Sequence, residues 1–376
     1  MAKMGALSLT PATESPLIAA ERPDIQDFDE WRSHVRHAVL AHLADFVAPR
    51  RRELDDTRVD AASDILTAFI SGGKCVRSTF AYLGWLCGGA PGESALRAAA
   101  SFELLHVFAL LQDDVMDGSP ERRGRPSAHL QFAQWHRERG LSGSARRFGE
   151  SAAILLGDLC LIWSEQMLRE SGVEPGRLQR AWPHYDTMRT ELAMGQFGDL
   201  TSDVRHMPTL DAVLDVARRK SGNYTVRRPL EIGAAMSDCD DRTMTRLGRY
   251  GADVGEAFQL RDDVLGIFGS PATTGKPCAG DLLERKATSV VVTAHQLADP
   301  TTRAEMNELM NGHVLDDDAL DRWKALIVKT GAVAMIEEMI NDRVASAREH
   351  LGDAPIEEPV RAGLDEMAAA CTDRAV

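Results

Sequence analysis

Two stretches of helix length, apolar nearly all the way round, each close on paired aspartates: LLHVFALLQDDVMD at 104–117 and GEAFQLRDDVLG at 255–266. A helix without a polar face has to be central, surrounded by other helices rather than laid on a surface. The chain must therefore bury two acidic helix ends. Asp113 and Asp117 stand at i,i+4 and share a face, with Asp114 about 100° round the helix, so three carboxylates gather where the helix dipole is already negative. Such a cluster needs cations. An all-oxygen donor set of this charge suits Mg²⁺, which takes one or two carboxylates and completes its shell with water and phosphate oxygens.

The bland alternative is a solvated helix end in an acidic protein. The neighbouring basic residues weigh against it. GSPERRGRPSAH places Arg122 and Arg123 directly after the first motif, and SGGKCVR upstream carries Lys74 and Arg77 on a Gly-Gly turn. Arginine forks and lysine point charges both serve phosphate oxygens, so cations beside metal-binding carboxylates read as a diphosphate site.

The rest of the chain reads as all-α. Helical periodicity predicts helices near 28–48, 58–70, 75–87, 93–117, 149–171, 175–201, 209–236, 240–268, 286–297, 301–311, 315–350 and 356–370, with no alternating strand pattern. Residues 1–26 form a Pro/Ser/Thr-rich tail expected to be disordered, and 27–376 one large helical domain. At 376 residues and 44% apolar the chain can bury a large core. ERGLSGSARRFG at 138–149 reads as a polar connector, and SPATTGKPCAGD at 270–281 as a loop able to act as a lid. A net charge of −14 without a basic run excludes a nucleic-acid partner. Six cysteines without CxxC spacing imply reduced thiols and a cytoplasmic protein. The N-terminal segment has no long apolar core and no run of some eighteen uncharged apolar residues occurs, so neither a signal peptide nor a membrane span is expected.

GGKCVR, ELLHVFALLQDDVMD, ERRGRP, GQFGDL, KSGNYT, FQLRDDVLG and TGKPCAGDLLERK occur in this order between about residues 60 and 295. In order and separation these motifs resemble the trans-isoprenyl diphosphate synthase (polyprenyl synthetase) family, including its short-chain geranylgeranyl and farnesyl diphosphate synthases. The resemblance implies a helical bundle around a central apolar cavity, a homodimer, and dependence on Mg²⁺, three ions with substrate bound. It also implies the substrates, isopentenyl diphosphate and an allylic diphosphate (dimethylallyl, geranyl or farnesyl).

Carried over position by position, the resemblance assigns catalytic places to Asp113, Asp114, Asp117, Asp262, Asp263, Lys220 and Gln259, with Asp113, Asp117 and Asp262 as metal ligands. Arg122 takes a place on the allylic diphosphate, with Lys220, Lys276 and Lys286 reaching the same group. Arg123, Lys74, Arg77 and His106 fall on the homoallylic side, and Gln196 and Asp199 near the reacting carbons or metals. On the residues alone His106 reads as a core histidine neutralised by Glu103 one turn earlier; the resemblance favours the substrate role. Lys220 ends the basic run ARRK, and the SGN that follows is expected to interrupt the helix and free backbone carbonyls. Gly248, Gly251 and Gly255 read as packing positions.

Three positions depart from the family pattern: Cys75 where many members have Arg, Ser78 for a common Pro, and Gly266 where the second motif usually ends in Asp. Two other functions remain open, a terpene cyclase on the same scaffold and a non-catalytic regulatory subunit. Retention of Lys74, Arg77, His106 and Arg123 argues against the first, and intact aspartate pairs against the second. For product length, Ala109 one turn below Asp113 leaves a path open, and Phe108 is the expected floor, as in synthases that stop near twenty carbons. Leu104 and Leu105 are the next lining positions along the same helix.

Overall fold

The computed structural model describes residues 22–23, 27–201, 207–269, 279–312, 315–352 and 354–373. In chain order these form α1 (Phe28–Asp55), α2 (Ala61–Ile70), α3 (Val76–Leu86), α4 (Glu93–Met116), β1 (Glu121–Arg122), β2 (Arg125–Pro126), α5 (Ala128–Glu138), α6 (Ala145–Arg169), α7 (Pro175–Leu200) and α8 (Leu210–Ala217). A π-helical segment, Arg218–Arg227, leads into α9 (Arg228–Met236) and α10 (Asp241–Phe268). There follow α11 (Gly280–Leu283), α12 (Ser289–Leu297), α13 (Pro300–Asn311), α14 (Asp317–Lys329), α15 (Ala332–Gly352) and α16 (Glu358–Thr372). Among the described residues the only strands are the two-residue pair β1 and β2, so the all-α expectation holds.

The first apolar stretch, α4, runs through the middle of the larger core, fully buried over 98–105 and half-buried at Phe108, Ala109 and Leu110. It packs on α6 along one side and on α1 and α3 along the other. A second core gathers around the C-terminal half of α10 and is closed by α12, α14 and α15. Both α4 and α6 are long and apolar enough to cross a membrane by composition, but 67% of the most apolar window of α4, and 44% of that of α6, is buried inside the protein.

Glycines allow α10, which carries the second motif, to meet the π-helical segment that carries Lys220. A Cβ on Gly222 would come within 2.9 Å of the Gly255 backbone, and one on Gly255 within 2.6 Å of the Gly222 carbonyl oxygen, so the π-helical segment and α10 touch backbone to backbone. Gly251 faces the Arg227 backbone and Gly248 the Glu231 carboxylate in the same way, which accounts for all three glycines of α10 singled out in the sequence. The helix interruption expected at SGN takes another form. The chain stays helical but widens to i→i+5 bonding through Arg218–Arg227, so the ladder is distorted rather than broken.

Several boundaries differ from the periodicity. α5 escaped notice because its buried face, Ala128, His129, Phe132, Ala133 and His136, mixes small and polar residues and gives little contrast with its exposed face. The Ser144 side chain accepts from the Arg147 amide and starts α6 there, which shortens the expected connector. α1 continues through Pro49 to Asp55. The predicted 315–350 helix is two, parted at Gly331 with φ +80°. Most of residues 1–26 lies outside the described residues; Arg22 pairs with Glu357 at 2.9 Å. The five described cysteines are free thiols, and Cys278 lies outside the described residues.

A buried ionic network fixes the π-helical segment. Arg228 of α9 donates to Glu231 at 2.6 Å and to Glu191 of α7 at 2.6 and 2.8 Å, while Asn223 donates to Glu191 at 3.1 Å. Arg227 and His184 also face Glu231, at 2.9 and 3.4 Å. Burial alone would raise the pKa of Glu231; the His184 hydrogen bond and the two arginines outweigh it and bring it from 4.5 to about 2. A carboxylate depressed in the folded state stabilises the fold above its unfolded pKa, and that stability is lost as pH falls through the window from 4.5 to about 2. Glu231→Gln is expected to cost about 3 kcal/mol at neutral pH and to flatten this acid-side dependence. Urea denaturation of both proteins at pH 7 and pH 3 checks it, and parallel losses in the two would contradict the assignment.

Candidate active site

The end of α4 carries the first motif, and its aspartates face different ways. Asp113 accepts from Lys220 Nζ at 3.0 Å, and from Gln196 Nε2 and Arg122 Nη2 at 3.4 Å. Asp117, one turn on, accepts from Lys286 Nζ at 2.8 Å. Asp114 is fully buried and accepts from Arg122 Nε at 2.8 Å, while its Oδ2 is buried without a protein partner. Lys220 also reaches Asp199 of α7 at 2.6 Å, so one ammonium group ties α4, α7 and the π-helical segment together. Burial would raise the pKa of Asp113, but Lys220, Arg122 and Lys286 outweigh it and hold the carboxyl below its ordinary value. Asp114, more deeply buried, is pushed up despite Arg122. The pKa values of Lys220 and Lys286 are raised by the carboxylates they meet, against the opposing effect of burial, which keeps both cationic.

The second motif repeats this division. Asp263 is buried and accepts from the Ser289 amide at 3.0 Å, the Ser289 hydroxyl at 2.6 Å and Gln259 Nε2 at 2.7 Å, anchoring the start of α12. Asp262, about 100° round α10, is half-buried. In both pairs the second aspartate is turned into the protein. Gln259 is engaged with Asp263 rather than directed at the first motif.

The hairpin after α4 separates two arginines that are adjacent in sequence. Its two central residues, Arg123 and Gly124, have φ of +55° and +72°, the signature of a type I′ turn, and β1 and β2 pair Glu121 with Pro126 and Arg122 with Arg125. Arg122 turns to Asp113 and Asp114, whereas Arg123 donates to the Phe69 carbonyl at 3.1 Å and lies against Gly73. Beside Arg123 stands a second cationic group. Lys74 is exposed on the Gly-Gly turn; Arg77 lies 4.4 Å over the Tyr224 ring and donates to Thr225 Oγ1 at 2.9 Å. The His106 ring is 6.4 Å from that of Tyr224. Burial and the nearby Arg77, Arg123 and Arg122 hold the pKa of His106 well below its ordinary value, so the imidazole is neutral. Three buried polar atoms here, Arg77 Nε, His106 Nδ1 and Tyr224 Oη, have no protein partner. Such orphaned groups belong to sites that expect a polar ligand.

Glu103 does not neutralise His106, as the simpler sequence reading had it; it accepts from Ser78 Oγ at 2.6 Å. Ser78, unusual for its position, thus supplies a buried hydroxyl where proline has none. Cys75 is buried at φ +48°, its thiol pKa pushed up by burial and by Glu103. Phe108 and Ala109 are half-buried one turn below Asp113, and Leu104 and Leu105 below them are completely packed. Lys276 lies outside the described residues. Tyr224, Thr225 and Ser289 received no role from the sequence, although the first two belong to the KSGNYT motif; contacts with Arg77 reveal those two, and hydrogen bonds to Asp263 reveal Ser289.

Among the described residues no three acidic, His or Cys side chains are disposed to hold a metal unaided. The carboxylates are bridged by lysines instead, with single carboxylate oxygens offered from separate helix ends. That donor set fits Mg²⁺ taking one or two carboxylates and the rest of its shell from phosphate and water, and does not fit a closed protein cage.

A polyprenyl synthetase family model matches residues 59–327. The chain is 33% identical over 295 residues to a geranylgeranyl diphosphate synthase of Mycobacterium tuberculosis, with 78% of each chain covered. It is 30% identical over 290 residues to a geranylfarnesyl diphosphate synthase of Aeropyrum pernix, covering 76% of this chain and 85% of that one. The solved structure of a geranylgeranyl pyrophosphate synthase from Corynebacterium glutamicum, complexed with isoprenyl diphosphate and magnesium, superposes with a TM-score of 0.86 at 34% identity, over 94% of this chain and all of that one. The carboxylates at two helix ends, the cations that bridge them and the likeness along most of the chain converge: the chain belongs to the polyprenyl synthetase family.

Proposed function

We propose that this chain is a Mg²⁺-dependent trans-prenyltransferase that condenses isopentenyl diphosphate with an allylic diphosphate to give geranylgeranyl diphosphate. The observation that carries this reading is the pair of separate cationic groups on either side of the hairpin. Lys220, Arg122 and Lys286 surround the first aspartate motif, while the cations Arg77 and Arg123 gather with the neutral His106 beyond it. A cyclase, which takes one diphosphate, has no use for the second group.

In this mechanism Lys220, Lys286 and Arg122 exchange their carboxylate partners for oxygens of the allylic diphosphate. Asp113, Asp117 and Asp262 would hold Mg²⁺, which when bound would supply the charge neutralisation that makes diphosphate a better leaving group. Three ions with substrate bound is the expected complement. The C–O bond breaks, diphosphate departs with the electron pair, and an allylic cation remains. The isopentenyl double bond, oriented by Arg77, Arg123 and neutral His106 on its diphosphate, attacks the cation, and loss of a proton restores an alkene one isoprene unit longer. The apolar faces of α4 exclude the water that would quench the cation to an alcohol. Asp114 and Asp263 serve by position, holding Arg122 and the start of α12.

Activity is expected to vanish with chelator and return with Mg²⁺, and Asp113→Ala is expected to lose about a thousandfold in kcat, about 4 kcal/mol of transition-state stabilisation. Radiolabelled isopentenyl diphosphate supplied with an allylic primer measures this, and the radiolabelled primer is also supplied alone. Product from the allylic diphosphate alone would point to the cyclase, and near-normal turnover in Asp113→Ala would sink the mechanism.

Product length rests on Phe108. With Leu104 and Leu105 fully packed, the accessible surface along α4 stops at the Phe108 level, five residues or about 7.5 Å along the helix from Asp113. Phe108→Ala is expected to release longer chains, read by chromatography after dephosphorylation; an unchanged distribution would move the floor to another helix.

A homodimer acting in the cytoplasm fits the surface of α6 and α7. Leu155 and Ile162 are 64% and 60% exposed, and Phe197 is 69% exposed, large apolar side chains that a second copy would cover. Light scattering should give twice the chain mass, and Leu155→Glu with Ile162→Glu should give the monomer; a dimer untouched by both changes would place the interface elsewhere.

A further inference from the structure

The second aspartate motif is one carboxylate short, because position 266 is glycine. The space beside Gly266 is nevertheless filled by a carboxylate. A Cβ built on Gly266 would fall on the Asp281 side chain, 3.2 Å from Oδ1 and closer still to Cγ and Oδ2. Gly266 stands four residues after Asp262 and therefore on the same face of α10, so a carboxylate at this spot shares the face of the half-buried aspartate of the motif.

Asp281 arrives on α11, a single turn with one strained residue directly before it and another two residues past its end. Ala279 and Arg285 have φ of +56° and +54°, a left-handed conformation that costs a non-glycine residue about 1–2 kcal/mol. Strain of this kind persists where the surroundings over-determine the backbone, and it gathers at functional sites. What the strained turn delivers is one charge to each motif. Lys286 reaches Asp117 at 2.8 Å on the first, and Asp281 reaches Gly266 on the second. The Lys286 amide donates to the Asp281 carbonyl at 2.9 Å, so the two charges are held as a unit.

Resting on the function proposed above, we infer that Asp281 is the third carboxylate of the second aspartate motif, supplied by α11 into the space that Gly266 leaves, where it positions the ion held by Asp262. Gly266 is then a required glycine, since any side chain there evicts the carboxylate that replaces its own.

The test is Mn²⁺ binding to the full-length chain, followed by electron paramagnetic resonance of the free ion. It is run with a thio-bridged allylic diphosphate that cannot ionise, so no turnover enters the readout. Asp281→Asn, which keeps shape and removes charge, is expected to weaken the affected ion about tenfold or more. Gly266→Ala is expected to weaken it as well by displacing Asp281. The exchanged double variant, Gly266→Asp with Asp281→Gly, should recover most of the loss. An unchanged isotherm in Asp281→Asn overturns the inference, as does a double variant that melts like the wild type yet binds no better than Asp281→Asn; if the double variant does not fold, Asp281→Asn alone decides. A wild-type chain that binds no Mn²⁺ in this assay overturns the functional reading and this inference with it. Wild-type binding with an indifferent Asp281→Asn removes only the role of Asp281.

Discussion

Everything in this molecule is arranged around the repulsion between acidic helix ends in an apolar interior. The ends of α4 and α7 bring the carboxylates of Asp113 and Asp199 within reach of one ammonium group, which is unfavourable until cations enter. The protein supplies those cations from distant parts of the chain. Lys220 bridges Asp113 and Asp199, Lys286 holds Asp117, and Arg122 holds Asp114, so elements far apart in sequence are drawn together by charge. The same ammonium and guanidinium groups are the ones a diphosphate needs. On the proposed function, substrate binding would exchange partners within a site already organised, rather than create a charged site from nothing.

The aspartate pairs divide their labour in a way that composition conceals. Asp114 and Asp263 are the buried members, each spending its hydrogen-bonding capacity on structure: a guanidinium in one case, the first residue of α12 in the other. Their raised pKa values come chiefly from that burial. Asp113 keeps a depressed pKa at the more exposed position. Two identical residues side by side on a helix thus differ in role because a turn of about 100° separates interior from cleft.

Much of this was legible beforehand. The all-round apolarity of 104–117 and the i,i+4 aspartates required a central helix with an acidic end, and the order of seven motifs pointed to the family. What could not be read were contacts between elements. Nothing in KSGNYT says that Tyr224 lies under Arg77, and nothing in the second motif says that Asp281, fifteen residues on, occupies the place of a side chain that Gly266 lacks. Local periodicity also failed where it was weak, as in α5, whose buried face contains two histidines. The widening at Arg218–Arg227 was felt in the sequence as a break because glycine after serine signals weakness without saying how the chain will relieve it.

The contact between Gly222 and Gly255 sets a fixed reference for the whole reaction centre. Where two helices meet through main chain alone, no change of side-chain volume elsewhere in the core can alter their separation, and any larger residue at either position is refused outright. Along α4 below Asp113 the packing is instead between side chains, Phe108 half-buried and Leu105 and Leu104 fully packed, which single substitutions can resize. On the proposed function, the chemistry and the measurement of chain length are thereby uncoupled. A lineage could then lengthen or shorten its product by trading bulk at Phe108 while the bond-making geometry stays put, and relatives named for products of different length share about a third of this sequence.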